Sequence, residues 1–376
     1  YRGWFQSSML TSIATTGVAP YKIIITNGWT LDGEGRAMHK SLGNTISPDE
    51  IVTSFGADIL RLWVSSIDYK SDVRMSKEML KQLSDIYLKI RNTARFILGN
   101  LYTFDPNNLI SLEDMPELDR WALARLNRLV SNVETAYEKY EYHTVYHAVH
   151  NFCTVDMSNF YLDIIKDRLY CDPKNSISRR SAQTTIYVIL DALVRMLAPI
   201  LAFTSEEIWA QMPHHDGVEL DSILFNPMPR PIIRYILTPE KDAMWEKLLC
   251  LRADVYKALE LVRDDKLIGK SLEAEVILSF GDAGATYFKE LEELDLESLF
   301  IVSNVIIKYD DKSIGTDTIG LEGTSFPDVL VSVRKTSDPK CARCWIHNKD
   351  VGNNSEHPEL CPRCADVVHE IIIPFS

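Results

Sequence analysis

Between about residue 76 and residue 213, apolar positions recur at three- and four-residue spacing in four long stretches. That period predicts helices, and four in succession predict an antiparallel bundle. Ser76 is placed to cap the first, which should run through Leu101. Leu118, Leu123, Leu126, Leu129 and Val133 stripe the second, expected from Leu118 to Tyr140. The third is expected over His143 to Tyr170 and the fourth over Thr184 to Met212. The pattern changes on either side. Upstream, Tyr21 to Thr26 is a short β-rich run followed by a glycine turn. Ser47-Pro48-Asp49-Glu50 then has the form of a capping box with proline at the first helical position. A helix should follow it, and another should span Ala57 to Ser66. Downstream, a proline-bearing connector leads to Thr238-Pro239, the start of a fifth helix running to about Val262 or Asp264. A strand at Ala274 to Phe280, a helix near Ala283 to Leu294, and strands at Phe300 to Tyr309 and Val329 to Lys335 predict a small α+β module.

Composition narrows the class. The 376 residues are 46% apolar and 25% charged, a globular profile. Lys and Arg total 40 against 53 Asp and Glu, a formal charge of -13. This excludes a broadly basic nucleic-acid coat and leaves room only for local basic tracks. No apolar run reaches the roughly 18 residues of a membrane span. The longest, Tyr187 to Phe203, contains Asp191 and Arg195, so no membrane partner is expected. The chain opens on Tyr1-Arg2-Gly3-Trp4-Phe5, with neither Met nor a signal-peptide pattern, and reads as the middle of a longer protein.

Seven cysteines argue against a fully paired disulfide framework. Four of them, Cys341, Cys344, Cys361 and Cys364, form two Cys-x2-Cys knuckles sixteen residues apart. Such knuckles present thiolates at the spacing a structural zinc ion takes; two disulfides or free thiols are the alternatives. Four sulfurs leave no open position, so the site is expected to be structural. Metal supplies about 10–16 kcal/mol of folding free energy in finger peptides, and this module is too short for a good core. Trp345, beside a knuckle, either stacks on a nucleic-acid base or covers the module's core. Cys use of this kind points to a reducing compartment.

The segment Asp32-Gly33-Glu34-Gly35-Arg36-Ala37-Met38-His39-Lys40-Ser41-Leu42-Gly43-Asn44 is the other dense feature. Glycine loops let backbone N–H groups approach a phosphate, and a lysine adds a point charge. No Walker motif is present, and an ordinary surface hairpin is the competing reading.

These residues carry a resemblance. The chain resembles the C-terminal portion of the class I aminoacyl-tRNA synthetases, most closely those of bacterial isoleucine type. Arg2-Gly3-Trp4-Phe5-x-Ser7-Ser8 is similar to the segment after the family's catalytic Gly-x-Asp-Gln stretch. The loop to Asn44 is similar to its Lys-Met-Ser-Lys-Ser signature loop, and Gly56-Ala57-Asp58-x-x-Arg61 follows as in the family. Ile90-Arg91-Asn92-Thr93, the run from Phe160 to Arg168, and Leu197-Ala198-Pro199-Ile200-Leu201-x-Phe203 resemble the anticodon-binding domain. Lys266 to Ala274 resembles the junction after it, and the four cysteines resemble the bacterial zinc module. The resemblance implies a multidomain chain. Residues 1–70 would be the C-terminal edge of an α/β Rossmann-like catalytic domain, and 71–213 a mostly α-helical anticodon-binding bundle. Residues 214–337 would be the connector, fifth helix and α+β junction module, and 338–376 the zinc-knuckle module.

It also implies chemistry: isoleucine, ATP and tRNA(Ile) give isoleucyl-tRNA(Ile), AMP and diphosphate, with magnesium and one zinc ion, in a cytoplasmic monomer. Lys40 and Ser41 would be the catalytic residues of the loop, with Asn27, Gly35, Met38 and His39 joining them at the nucleotide. Two departures stand out: Ala37 replaces the usual first lysine and His39 the middle serine. Asn27 replaces a common histidine. The closer-looking Arg74-Met75-Ser76-Lys77 lacks the glycine frame and reads as a helix start. The family's His-x-Gly-His element is not in this chain, so the chain alone is expected to be inactive in aminoacylation and editing.

An RNA face must be local. Arg91, Asn92 and Arg95 on the first bundle helix, Lys166 and Arg168 on the third, and Arg343 and Trp345 at the knuckle are the candidates. Internal ion pairs with the many carboxylates are the competing use of each charge. His143, His147, His150 and Cys153 fall on one helix at metal-like spacing, but crowding by Tyr142, Tyr146, Val145 and Val149 favours packing. Two classes of function remain: a fragment of a ligase, and a zinc-containing RNA-binding or assembly protein without catalysis.

Overall fold

The computed structural model describes residues 3–309 and 318–372. Arg2 of the opening motif and residues 373–376 of the expected zinc module lie outside them. The chain begins with α1 (Trp4–Thr16), β1 (Thr30–Leu31), α2 (Pro48–Phe55), α3 (Ala57–Ser66) and β2 (Val73–Arg74). Ser47 accepts the Glu50 N–H as the capping box requires, and α3 spans the residues expected of it. The run Tyr21 to Thr26 is not a strand. Ile23, Ile24 and Ile25 are exposed, and no strand among the described residues pairs with them. β1 pairs in parallel with β2 through Thr30–Val73 and Leu31–Arg74, a contact that crosses the expected boundary at 70, and Leu31 also bridges Ala37. Gly28 makes that junction: its N–H donates to Tyr69 O, and a Cβ there would lie 2.2 Å from Ser71 O.

The bundle holds α4 (Lys77–Asn100), α5 (Glu117–Glu138), α6 (Tyr142–Asn151), α7 (Leu162–Ile164), α8 (Lys166–Cys171), α9 (Ile177–Leu197) and α10 (Ala202–Trp209). Ser76 caps α4 through the Met79 N–H, so Arg74-Met75-Ser76-Lys77 is a helix start. The α5 stripe is buried as its spacing predicts, with Leu123, Leu126, Leu129 and Val133 all nearly inaccessible. Each such side chain contributes about 1.5–3 kcal/mol of transfer free energy. Two expected helices are interrupted. Between α6 and α7 the chain takes a π-helical stretch, Phe152–Tyr161, where Thr154 Oγ1 donates back to His150 O. The fourth helix breaks at Pro199, whose missing N–H and ring cannot continue α9.

Beyond the connector, α11 (Pro239–Asp264) starts at a Thr238 cap. The α+β module follows as β3 (Ala274–Phe280), α12 (Asp282–Phe288), α13 (Leu296–Phe300), β4 (Asn304–Tyr309), β5 (Ile319–Glu322) and β6 (Val329–Lys335). The sheet order is β4-β3-β6-β5, with β3 and β4 parallel and the other pairs antiparallel. The expected strand from Phe300 begins only at Asn304, because Leu296–Phe300 is a helical turn capped by Asp295. One apolar core runs through bundle, α11 and sheet. The cysteine module closes with α14 (Pro362–Ile372) and has its own small core, which includes Cys171 of the bundle.

Candidate functional site

Three groups of functional side chains can be built from the residues upward. The first is the glycine loop. Asp32 is its anchor: Oδ1 accepts the Glu34 and Arg36 N–H groups at 3.0 and 2.8 Å. Its Oδ2 accepts Arg36 Nε at 3.0 Å and Asn44 Nδ2 at 2.8 Å. The Asn44 amide, then the Arg36 N–H and guanidinium, hold the Asp32 carboxyl well below the usual carboxylate range. Asn44 also accepts the His39 N–H and donates to Ala37 O, so it ties both ends of the loop. Gly35 sits at φ 83°, in the left-handed region, with the Arg74 guanidinium 3.2 Å from where a Cβ would lie. His39, Lys40 and Ser41 are exposed on a short turn, while Met38 packs against the core. Asn27 is exposed and donates only to its neighbour's carbonyl. Asp32 and Asn44 were not legible as anchors; an Asp opening a Gly-x-Gly turn was the available signal.

The second group is the metal centre. Sγ atoms of Cys341, Cys344, Cys361 and Cys364 all lie within 4.8 Å of one another, and those of Cys344 and Cys361 are 3.8 Å apart. A tetrahedron with metal–sulfur bonds of about 2.3 Å has edges of about 3.8 Å. Disulfides are excluded, since all four are free thiols. Burial pushes the Cys341 thiol up, but the backbone N–H groups of Cys344, Cys361 and Arg343 outweigh it and bring it down to about 6. Burial and neighbouring sulfurs push Cys344 and Cys361 the other way. Four cysteine sulfurs converging at tetrahedral spacing make a donor set that fits zinc, whose charge would hold all four as thiolates.

The third group is the basic face, and here the structure sorts the candidates. Arg91, Asn92 and Arg95 are exposed on α4; Arg91 pairs with Glu207 at 2.9 Å and remains half-exposed. Lys166 is exposed and paired with Asp163 at 2.6 Å. Arg168 has the competing use of its charge: its guanidinium is turned into the bundle against Asp119, with Ser178 as a further partner. Arg343 is half-buried: it donates to Cys171 O at 2.6 Å, lies 3.5 Å from Cys364 Sγ, and also lines the cleft beside Trp345. Arg363, beside the second knuckle, makes a two-pronged pair with Asp167. Trp345 is exposed at 52%, with Lys270 and Lys340 Nζ 4.9 and 5.3 Å from its ring centre. Its φ of 68° places a bulky residue in left-handed backbone, held there by the Trp345 N–H to Cys341 O bond. Beside it, a cleft of about 500 Å³ opens between α8, α13 and the knuckle, lined by Lys166, Tyr170, Leu272, Ile301 and Ile346. Among the described residues, the ligand atoms of His143, His147, His150 and Cys153 do not converge, and Cys153 is fully buried.

Comparison with known proteins agrees along the chain. Residues 1–76 match the family described as tRNA synthetases class I (I, L, M and V). Residues 119–278 match the anticodon-binding domain of tRNA ligase, and 338–367 the zinc finger found in FPG and IleRS. The chain is 47% identical over 371 residues to an isoleucine–tRNA ligase of Caldanaerobacter subterraneus subsp. tengcongensis. It is 49% identical over 377 residues to that of Syntrophotalea carbinolica. Each alignment covers 98% of this chain and 39% of the relative, so the chain spans well under half the length of these relatives. A solved leucyl-tRNA synthetase ternary complex from Agrobacterium radiobacter K84 matches 81% of this chain and 35% of its own at 16% identity and a TM-score of 0.49, too low to bear on the fold. No described helix is long and apolar enough to cross a membrane.

Proposed function

We propose that this chain, which belongs to the class I aminoacyl-tRNA synthetases of bacterial isoleucine type, supplies the ATP-loop and anticodon-binding parts of an isoleucine–tRNA ligase. The whole ligase joins isoleucine to tRNA(Ile) with ATP and magnesium, in the cytoplasm and as a monomer. The observation that carries the RNA part is Trp345. The exposed indole offers a stacking surface for an unstacked base, and the Lys270 and Lys340 ammonium groups over its ring bring positive charge to the adjoining phosphates. Arg91, Asn92, Arg95 and Lys166 extend the contact along the bundle. Zinc, bound by Cys341, Cys344, Cys361 and Cys364, supplies structure and no open coordination position.

In the loop, Lys40 carries the charge that neutralises the departing diphosphate, and Ser41 and nearby backbone N–H groups hold the phosphates. Met38 anchors the loop on the core while Asp32 and Asn44 set its shape. Ala37 leaves one phosphate-directed charge out of this arrangement. Neither isoleucine activation nor editing is assigned to the chain alone.

Filter binding of tRNA(Ile) and of a non-cognate tRNA tests the reading. The chain should retain tRNA(Ile), prefer it, and show no ATP–diphosphate exchange. Absence of any tRNA retention at low salt, or measurable exchange, would overturn it.

A further inference from the structure

The break between α9 and α10 leaves polar groups that this stretch of chain cannot satisfy itself. The residue at the N-cap of α10 is Leu201, which has no side-chain oxygen to offer the first turn. The carbonyls of Pro199 and Ile200 point away from any continuing helix. Both deficits are met from α3, more than a hundred residues earlier. Asp58 Oδ1 accepts the Phe203 N–H at 3.3 Å, and Oδ2 accepts the Thr204 N–H at 2.8 Å and the Thr204 hydroxyl at 2.6 Å. One turn later, Arg61 donates through Nε to Ile200 O at 2.8 Å and through Nη2 to Pro199 O at 2.6 Å. Asp58 is buried, and Tyr87 of α4 closes the network by donating to Thr204 Oγ1 at 2.8 Å.

The two ends of this splint lead to the two functional regions. On one side, α3 follows α2 through Gly56, whose φ of 92° and ψ of 156° suit glycine alone. The residues before α2 are the loop, and Met38 and Ile46 pack on the core that holds Ile51, Ile59 and Leu62. On the other side, α10 carries Glu207, the partner of Arg91 on the RNA-facing surface of α4. A cap supplied in trans fixes both the position and the direction of the capped helix. The carboxylate must face its first N–H groups, and the guanidinium must lie in reach of two adjacent carbonyls.

We propose that Asp58 and Arg61 are positioning residues that hold the RNA-binding bundle in register with the ATP loop. This rests on the function proposed above and adds a mechanical link between its two halves. Neither residue belongs to the loop or to the basic face of α4; both act through α10 and the turn before it. Their loss should spare steps confined to the ATP side and impair the step that needs both regions aligned.

The test uses Asp58→Asn and Arg61→Met in a full-length ligase carrying this sequence. ATP–diphosphate exchange should stay within about twofold of wild type, since it needs no tRNA. Aminoacylation kcat/KM for tRNA should fall at least tenfold. In the chain itself, amide exchange at Phe203 and Thr204 should accelerate by a similar factor. Equal losses in exchange and aminoacylation, or no loss in either, would overturn the proposal. Where Asp58→Asn does not fold, Thr204→Val removes one arm of the same contact and is read on the same two assays. A wild-type chain that binds no tRNA defeats the earlier functional reading, while the kinetic split between variants decides this one.

Discussion

Arg168 and Asp119 form a two-pronged ion pair inside the bundle, with nitrogen–oxygen distances of 2.8 and 2.6 Å. Asp119 is fully buried and also accepts the Tyr161 and Ser181 hydroxyls, so every lone pair has a donor. Removing one partner of such a pair strands a charge and costs about 3–5 kcal/mol. Arg168→Met should therefore lower stability by about that amount, measured by urea unfolding. A variant with wild-type stability and weakened tRNA retention would return Arg168 to the RNA face.

Zinc and the bundle should be linked. Arg343 and Arg363 flank the knuckles and reach Cys171 O and Asp167. Cys361→Ser should lose the one bound zinc ion per chain and accelerate amide exchange over residues 166–172, leaving α5 protected. Metal analysis with hydrogen exchange checks this. Unchanged protection over 166–172 after metal loss would contradict it.

Trp345 offers a separation of stability from binding. Its left-handed backbone costs a non-glycine residue about 1–2 kcal/mol. Trp345→Gly should recover part of that and raise the unfolding midpoint, while tRNA affinity falls by the roughly 1–3 kcal/mol of one stacked base. Trp345→Ala should lose the affinity without the gain. Coupled losses of stability and affinity in both variants would instead make Trp345 a core cover.

A pH dependence follows from His150. Desolvation, then Lys89 and His147, hold its imidazole below the ordinary value, and buried Nε2 has no partner. The folded state then binds fewer protons than the unfolded one. Its contribution is full above the unfolded value of about 6.5 and is lost as pH falls through the lower folded value. Stability should drop between pH 7 and pH 5, and His150→Gln should flatten that drop. A slope untouched by the substitution would assign the titration elsewhere.

The loop departures make a kinetic prediction. In the full-length ligase, Ala37→Lys with His39→Ser should lower KM for ATP or raise kcat, because it adds a phosphate-directed charge to a turn already shaped by Asp32 and Asn44. Steady-state kinetics with neither parameter changed would remove the reasoning.

Local signals were legible where they are self-contained. The caps at Ser47, Ser76 and Thr238 depend on three adjacent residues, and all three form. The strands Ala274–Phe280 and Val329–Lys335 were readable because each is a run of branched residues long enough to be buried in the sheet. β5 escaped notice: Ile-Gly-Leu-Glu is short, carries a glycine, and exists as a strand because β6 pairs with it. The cysteine spacing carried its own geometry. Arginine roles did not. Nothing local distinguishes Arg168, buried on a carboxylate 49 residues away, from Arg95, exposed on α4. The cap of α10 was hidden for the same reason, since Asp58 lies 146 residues before Thr204.

The clamp from the knuckles to α8 has a temporal side. Its partners are separated by 172 residues for Arg343 and Cys171, and by 196 for Arg363 and Asp167. At about 5–20 residues per second, a ribosome needs on the order of 10–40 s to make the intervening chain. During that interval the bundle can fold while α8 still lacks these two braces. Metal capture at the knuckles therefore comes after the bundle helices are made, and α8 is braced only once both have happened.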